Sequence, residues 1–490
     1  MWLQDVQGTA LTSWITFAAG TGFALFGYDQ GVFGAVLTNE SFVKTFDNPS
    51  PSLQGHITAT YDLGCFAGAL LTMWQGNKYG NRRIILTGSI ILVIGAILQT
   101  AAYHVPQMII GRFIAGVGNG MNTASIPVWQ SETVPAKHRG HVMVLQLALN
   151  QVGNVTSQWI NYGMTFIATN SVAWRFPLAF QIFFAALTIL LVPWLPDSPR
   201  WLVLKNRNDE ALEVIRRLGG PRRSEDENRE ICTAIQQNVE HEMSMGKLTI
   251  KSLLKRDSLH TTRRILLGAG TQFMQQWCGI NAILYYLPVV FASLGLDRNL
   301  SVILSCCNAM NLLISTCFGA LYVERAGRKK MMFWGAIGQS LCYALVAIGL
   351  ALGGKQWEAV AVTFVFGFMT AFGLSWIAVP WMYPAEINTQ RMRIAGAGIA
   401  TATNWITNYA VVLITPIGIA NIGWRYYILY AVLNAAFVPI VQIFYVETAG
   451  KSLEDIDRLF EGHSSELSAS DDNSGREEDK EVTVAHVDDA

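Results

Sequence analysis

Two acids, one base and many amides stand where this chain is most apolar. Asp29 in FGYDQG, Asp62 in TYDLG and Arg112 in GRFIAGVGNG all fall inside long hydrophobic stretches. A charge placed there is costly, is usually paired, and often serves function. An acid whose cationic partner moves between two states changes its hold on a proton, which is what proton-coupled transport requires. Asp29 and Arg112 suit that work. A fixed ion pair between their helices is the alternative, and Asp62 either assists or packs. The amides are more numerous. QFMQQWCGINAILYY carries Gln272, Gln275, Gln276, Asn281, Tyr285 and Tyr286. Gln146, Asn150, Gly153, Asn154, Ser157 and Asn161 recur at spacings of three and four, and Thr401, Asn404 and Asn408 form a third set. An unpaired amide in hydrocarbon is strongly unfavourable. Amides offer donors and acceptors together, which suits the hydroxyls of a neutral polyol. Hydrogen bonding between helices is the competing use, and is the one expected for Gln272.

The spacing says how these groups must be held. On an ideal helix Gln272, Gln275, Gln276 and Tyr286 share an arc of about 100°. Asn281 and Tyr285 fall outside it, and Gly279 stands between the two sets. A helix broken at that glycine would turn both sets toward one cavity. The run from Gln146 to Asn161 makes a polar stripe on an otherwise apolar helix and reads as a cavity wall. Packing is the alternative for Asn161. Trp381 lies between Pro380 and Pro384, where a helix is expected to break. Asn308 and Asn311 are further candidates to reach the cavity.

The supporting elements follow from composition. The chain has 490 residues, 51% hydrophobic and 14% charged, against roughly 25% charged in soluble proteins. Twelve apolar segments of spanning length are expected at 11–35, 56–76, 84–103, 106–130, 141–164, 174–195, 263–292, 299–322, 331–353, 357–384, 393–420 and 424–446. The reading is an all-α membrane protein. It divides into an N-terminal piece (1–10), a first six-helix half (11–195), a helical linker domain (196–262), a second half (263–446) and an acidic, mostly disordered tail (447–490). Basic residues crowd one set of connections: Lys78, Arg82 and Arg83; Lys137 and Arg139; many between 200 and 262; Arg325 to Lys330; Arg391 and Arg393. Only isolated cations such as Lys44, Arg298, Lys355 and Arg425 occupy the others. Both termini are therefore expected in the cytoplasm, with the sequon Asn39-Glu40-Ser41 outside. The N-terminus has no basic region followed by a cleavage site. Formal net charge is zero, so nothing argues for nucleic acid. The seven Cys lack paired spacing. No phosphate loop, metal cluster or nucleophile constellation occurs, so neither enzyme activity nor a cofactor is expected.

The chain also repeats itself. Gly80 in NKYGNRR pairs with Gly327 in ERAGRKK, Glu132 with Glu386, and Asp197 with Glu447, all at an offset near 250 residues. In both halves an Arg follows the matched Glu seven residues later (Arg139, Arg393). Two parallel six-helix halves are a transporter arrangement, with the substrate held between them near mid-membrane. The recurring charges Glu132, Arg139, Glu324, Arg325, Arg328, Glu386 and Arg393 read as a latch between the halves. Plain topology signalling is the alternative.

These stretches bring a family into view. FGYDQGVFG, GRFIAGVGNG, PVWQSETVPAKHRG, WRFPLAFQ, PDSPRWL, QQWCGINAILYY, VERAGRKK, PWMYPAE, NWITNYAVVLITP and ETAGKSLEDI together resemble the sugar porter family of the major facilitator superfamily, particularly its fungal members. The resemblance implies twelve helices in two pseudo-symmetric halves, a cytoplasmic helical domain, and alternating access for a monosaccharide or polyol. It implies substrate contact at Gln146, Gln275, Gln276, Asn281, Tyr285, Trp381, Asn404 and Trp405, with the Trp381 indole stacking on a sugar ring. Its proton-coupled members carry Asp and Arg at Asp29 and Arg112, as do some facilitative ones, so proton symport and uniport both stay open. Asn77 and Asn81 replace a usual Asp and Arg, Trp129 a usual Tyr and Val446 a usual Pro; the asparagines remove a charge pair from the first-half latch. The expected partners are a sugar or polyol, a proton and the lipid bilayer, in a plasma-membrane monomer. A transporter-like nutrient sensor is a third reading, and the short tail counts against it.

Overall fold

The computed structural model describes residues 6–134, 139–167, 169–244, 260–293, 295–389, 392–451, 456 and 460. It is helical, with no strand among the described residues. Segments 1 to 6 are Gly8–Leu37, Pro51–Tyr79, Asn81–Thr100, Val105–Thr133, Arg139–Met164 and Val172–Leu191. Segment 7 comes in three pieces, Thr261–Trp277, Ile280–Leu284 and Leu287–Ser293. Segments 8 and 9 are Arg298–Ala326 and Arg328–Leu352. Segment 10 is Lys355–Leu374 followed by Val379–Ile387, and segments 11 and 12 are Arg393–Ile422 and Arg425–Phe444.

Among the described residues, eight of these spans are long and apolar enough to cross a membrane by length and composition. The other four are segments 2, 4, 5 and 7. Segments 2, 4 and 5 turn their polar residues inward, with Asp62, Arg112, Asn119 and Asn154 all buried, which lowers their mean hydropathy without exposing a charge to lipid. Segment 7 is interrupted. Gly279 takes φ +92°, a conformation L side chains rarely adopt, and its carbonyl accepts from Tyr343 Oη at 2.8 Å. Segment 10 breaks over 375–378, just upstream of Pro380 rather than between the two prolines.

The duplication survives in three dimensions. Gly80 has φ 83° and ψ 153°, and Gly327 has φ 86° and ψ 146°. Asp197 accepts from the Arg82 backbone N–H at 3.4 Å, and Glu447 from that of the matching Lys329 at 3.1 Å. The halves meet where segment 2 packs on 11, 5 on 8, and 1 on 7. Helices Pro199–Leu204, Asn208–Gly219 and Glu225–Ser244 pack round Trp201, Val203, Ala211, Val214 and Val239. The Trp201 ring lies against Gly80, so this cluster shares a face with the Gly80 turn. We call it the terminal face.

Asn39 is not presented as its sequon suggested. Its side chain is buried, and its Oδ1 accepts from the Ser41 and Phe42 N–H groups at 3.0 and 3.2 Å, capping Glu40–Thr45.

Candidate functional site

One cavity lies between the halves. Gln30 of segment 1, Asn150 and Gln151 of segment 5, Gln275, Gln276 and Asn281 of segment 7, Trp381 of segment 10 and Asn404 of segment 11 line it, with Phe26 and Phe372 as apolar wall. No Lys, Arg or His occurs among the described lining residues. The free volume is about 50 Å³. At roughly 10–15 Å³ per water that holds a few waters, far less than the roughly 300–1,000 Å³ of sites for drug-sized ligands. A sugar-sized ligand fits only when the walls part.

The segment 7 polar groups are held by prolines elsewhere. A proline has no N–H to return to the carbonyl four residues before it. Pro380 therefore leaves the Trp376 carbonyl open, and Gln275 Nε2 donates to it at 2.8 Å. Pro384 leaves the Pro380 carbonyl open, and Gln272 Nε2 donates to it at 2.8 Å. Pro416 leaves the Val412 carbonyl open, and Tyr286 Oη donates to it at 3.0 Å. Three segment 7 side chains thus stand in for three missing backbone donors, as helix breaks in hydrocarbon require.

The remaining amides form a net. Asn404 Nδ2 donates to Gln272 Oε1 at 2.6 Å and to Gln275 Oε1 at 3.3 Å. Gln276 Nε2 donates to Gln275 Oε1 at 3.4 Å. Asn281 Nδ2 donates to Gln276 Oε1 and, at 2.7 Å, to Asn408 Oδ1. The break at Gly279 thus brings Asn281 beside Gln276. Tyr285 turns away from the cavity and donates to Asp62 Oδ1 at 3.0 Å. Gln146 is buried beside the lining residue Leu147, and its Nε2 has no hydrogen-bond partner among the described residues. Trp405 is buried with its ring edge-on to Phe26 at 5.3 Å, so it backs the wall. Asn311 packs on segment 10, donating to the Phe366 carbonyl at 3.1 Å.

The segment 5 stripe does two jobs. Asn150 and Gln151 line the cavity. Asn150, Gln158 and Asn161 also donate to the carbonyls of Phe23, Gly31 and Val32 at 3.3, 3.2 and 3.0 Å. Much of what read as wall is a clamp on segment 1. Gln30, which sequence reasoning missed, reaches the cavity from beside Asp29; that adjacency was its only signal.

Asp29 and Arg112 meet in a closed pair. Arg112 Nη1 lies 3.0 Å from both Asp29 oxygens, and its Nη2 donates to the Thr58 carbonyl at 3.2 Å. The guanidinium sits between the Phe33 and Tyr61 rings, at 4.2 and 4.4 Å. Both side chains are out of solvent.

The charged groups on the terminal face pair within the second half, and between the first half and the linker that follows it. Arg328 Nη2 and Nε reach Glu386 at 2.8 and 3.2 Å, and Thr448 Oγ1 donates to Glu386 at 2.6 Å. In the first half Asn81 Nδ2 donates to Glu132 at 3.4 Å, Arg200 lies 3.8 Å from Glu132, and Arg82 lies 3.7 Å from Asp197. Burial holds the Asp197 carboxyl above the usual carboxylate range, against the pull of Arg82. Arg325 is exposed. The side chains of Arg139, Glu324 and Arg393 lie outside the described residues.

Known proteins share this architecture. A family model described as "Sugar (and other) transporter" matches residues 14–460. The MFS-type transporter oryC of Aspergillus oryzae is 42% identical over 93% of this chain and 86% of its own length. The sugar transporter STL1 of Saccharomyces cerevisiae is 38% identical over 93% of this chain and 82% of its own. The fold matches that of XylE from E. coli, a proton:xylose symporter solved with 6-bromo-6-deoxy-D-glucose bound. The TM-score is 0.78 at 24% identity, over 92% of this chain and all of that one.

Proposed function

Since this chain belongs to the sugar transporter family of the major facilitator superfamily, and so is a multi-pass membrane transporter, we propose that it carries a neutral polyhydroxylated solute by alternating access. The solute is a monosaccharide or polyol. The observation that carries this reading is the cavity between the halves, lined by amides from segments 5, 7 and 11 with the Trp381 indole and no cationic side chain among the described residues. Amides match hydroxyls in both donor and acceptor sense. An indole face suits the C–H face of a pyranose, and a carboxylated solute would want a cation. Gln276, Asn281, Asn404 and Trp381 are the direct contacts in this reading. Gln146, Tyr285 and Trp405 join as the walls part.

The solute moves with a proton. Asp29 and Arg112 support this, since the pair sits beside the cavity residue Gln30, and separating it would change how tightly Asp29 holds a proton. Facilitative uniport is the second reading, favoured by the closed, two-oxygen geometry of that same pair. The terminal face lies in the cytoplasm of a plasma-membrane monomer, as the basic residues on its connections suggest. Uptake in transporter-deficient cells, measured with labelled sugars and polyols with and without a protonophore, tests the whole reading. Solute-specific uptake that falls when the proton gradient collapses is expected. Unchanged initial uptake would leave uniport, and uptake of none of the panel would remove the substrate assignment.

A further inference from the structure

Segment 2 places two neighbouring residues on two polar systems. The Tyr61 ring lies under the Arg112 guanidinium at 4.4 Å and so touches the Asp29–Arg112 pair. Asp62, the next residue, is fully buried. Its Oδ1 accepts from Tyr285 Oη and from Asn408 Nδ2, each at 3.0 Å. Its Oδ2 has no hydrogen-bond partner among the described residues. Asp62 belongs to the first half, and Tyr285 and Asn408 to the second. These bonds therefore tie one half to the other inside the protein.

The tie is continuous with the cavity. An amide nitrogen has two hydrogens and a phenol has one. Asn281 spends its two on Gln276 Oε1 and Asn408 Oδ1. Asn408 spends its own on Asp62 Oδ1 and, at 3.4 Å, on Tyr285 Oη. Tyr285 spends its one on Asp62. From Asn281 through Asn408 to Asp62 the path has no spare donor. A ligand hydroxyl that takes the Asn281 amide displaces one of its two partners, Gln276 or Asn408; when it is Asn408, that side chain loses one of its anchors and can turn away from Asp62. Hydrogen-bond networks of this kind respond as a unit. The contacts closing the face opposite the termini lie on the same side. The Tyr285 carbonyl is so near Gly34 that a Cβ there would come within 2.6 Å, and Arg298 pairs across the halves with Glu40 at 3.1 Å.

We propose that Asp62 is a positioning residue that ties filling of the amide-lined cavity to separation of the two halves on the face opposite the termini. The kinetic consequence rests on the transport reading above; the conformational one does not.

Two measurements test it. Wild type, Asp62→Asn, Tyr285→Phe and the double variant are compared in transporter-deficient cells with labelled D-glucose, D-xylose and glycerol. For whichever probe the wild type carries, Asp62→Asn should lower maximal uptake roughly tenfold and leave half-saturation within about threefold. The double variant should be no slower than Asp62→Asn alone, because both changes weaken the same tie. A raised half-saturation at unchanged maximal rate overturns the proposal, as do losses that multiply in the double variant. The second measurement needs no transported solute. Glu40→Cys and Arg298→Cys are introduced together, and their disulfide yield under copper–phenanthroline reports closure of that face. The yield should fall about threefold when Asp62→Asn is added. Tyr285→Phe, which removes only a hydroxyl, carries the same test if Asp62→Asn fails to reach the membrane. An unchanged yield overturns the proposal. If the wild type carries none of the three probes, the substrate assignment fails and the disulfide yield alone decides the role of Asp62.

Discussion

The same charged knot is built twice on the terminal face, and the copies are unequal. In the second half the Arg328 guanidinium reaches Glu386 through two nitrogens, and its backbone N–H lies 2.7 Å from Glu447. In the first half the position after the turning glycine holds Asn81, which offers Glu132 one amide at 3.4 Å. The bond from the Arg82 backbone N–H to Asp197, at 3.4 Å, is slightly longer than its counterpart from Lys329 to Glu447, at 3.1 Å. The glycine turns are nearly superimposable in φ and ψ, so the backbone does not cause the difference. It lies in one side chain. A guanidinium holds a carboxylate at two points and fixes its plane, and an amide does neither. The lesson is that a duplicated fold can keep its frame while one copy slackens its grip.

The comparison can be broken or sharpened by exchanging the parts. The largest effect is expected from Arg328→Asn, which gives the second knot the residue of the first. Removing one partner of a buried pair costs about 3–5 kcal/mol. With Glu386 a quarter exposed, the lower end applies. A clearly lowered unfolding midpoint of the purified protein is expected, and an unchanged midpoint would mean the knots are equivalent. Glu386→Gln comes next. It keeps the shape and loses the charge-assisted bonds, at about 1.5–3 kcal/mol by the same measurement. Asn81→Arg runs the exchange in reverse. Partial exposure of this knot, and Arg200 already near Glu132, hold the gain to about 0–1 kcal/mol. Slower uptake at equal surface expression should accompany it. The smallest effect concerns pH. Asp197 binds its proton more tightly folded than unfolded, so it makes stability fall as pH rises through its folded pKa. Wild type should therefore gain slightly relative to Asp197→Asn as pH falls from neutral toward the ordinary carboxylate pKa of about 4. A steeper gain in the variant would reverse the assignment.

Much of this was legible in the sequence, because hydrocarbon is an unforgiving solvent. Twelve apolar stretches of spanning length had few other uses, and the paired turns Gly80 and Gly327 announced the repeat. The break at Gly279 was legible because glycine marks a backbone that must bend. The polar stripe of segment 5 was legible as a stripe. Its division between cavity and clamp was not, since that depends on which segment 1 carbonyls lie opposite Asn150, Gln158 and Asn161. The break of segment 10 showed its cause, Pro380, but not its place. A proline disturbs the turn before it, and so the gap falls at Ser375 to Ala378. Tyr285 was read with the amides because sequence distance cannot tell a residue facing the cavity from one a turn further on, facing Asp62.

The substitute donors of segment 7 bear on how this sequence can change over time. Gln275 is indispensable to the Trp376 carbonyl only while residue 380 is a proline. A chain that first exchanged Pro380 for alanine would regain the backbone N–H, and Gln275 would then be released as a donor and kept only as the acceptor for Asn404 and Gln276. The opposite order would strand a carbonyl in hydrocarbon and be removed by selection. The same asymmetry joins Gln272 to Pro384 and Tyr286 to Pro416. History can enter these three pairs by one door only, so proline and donor should be inherited together.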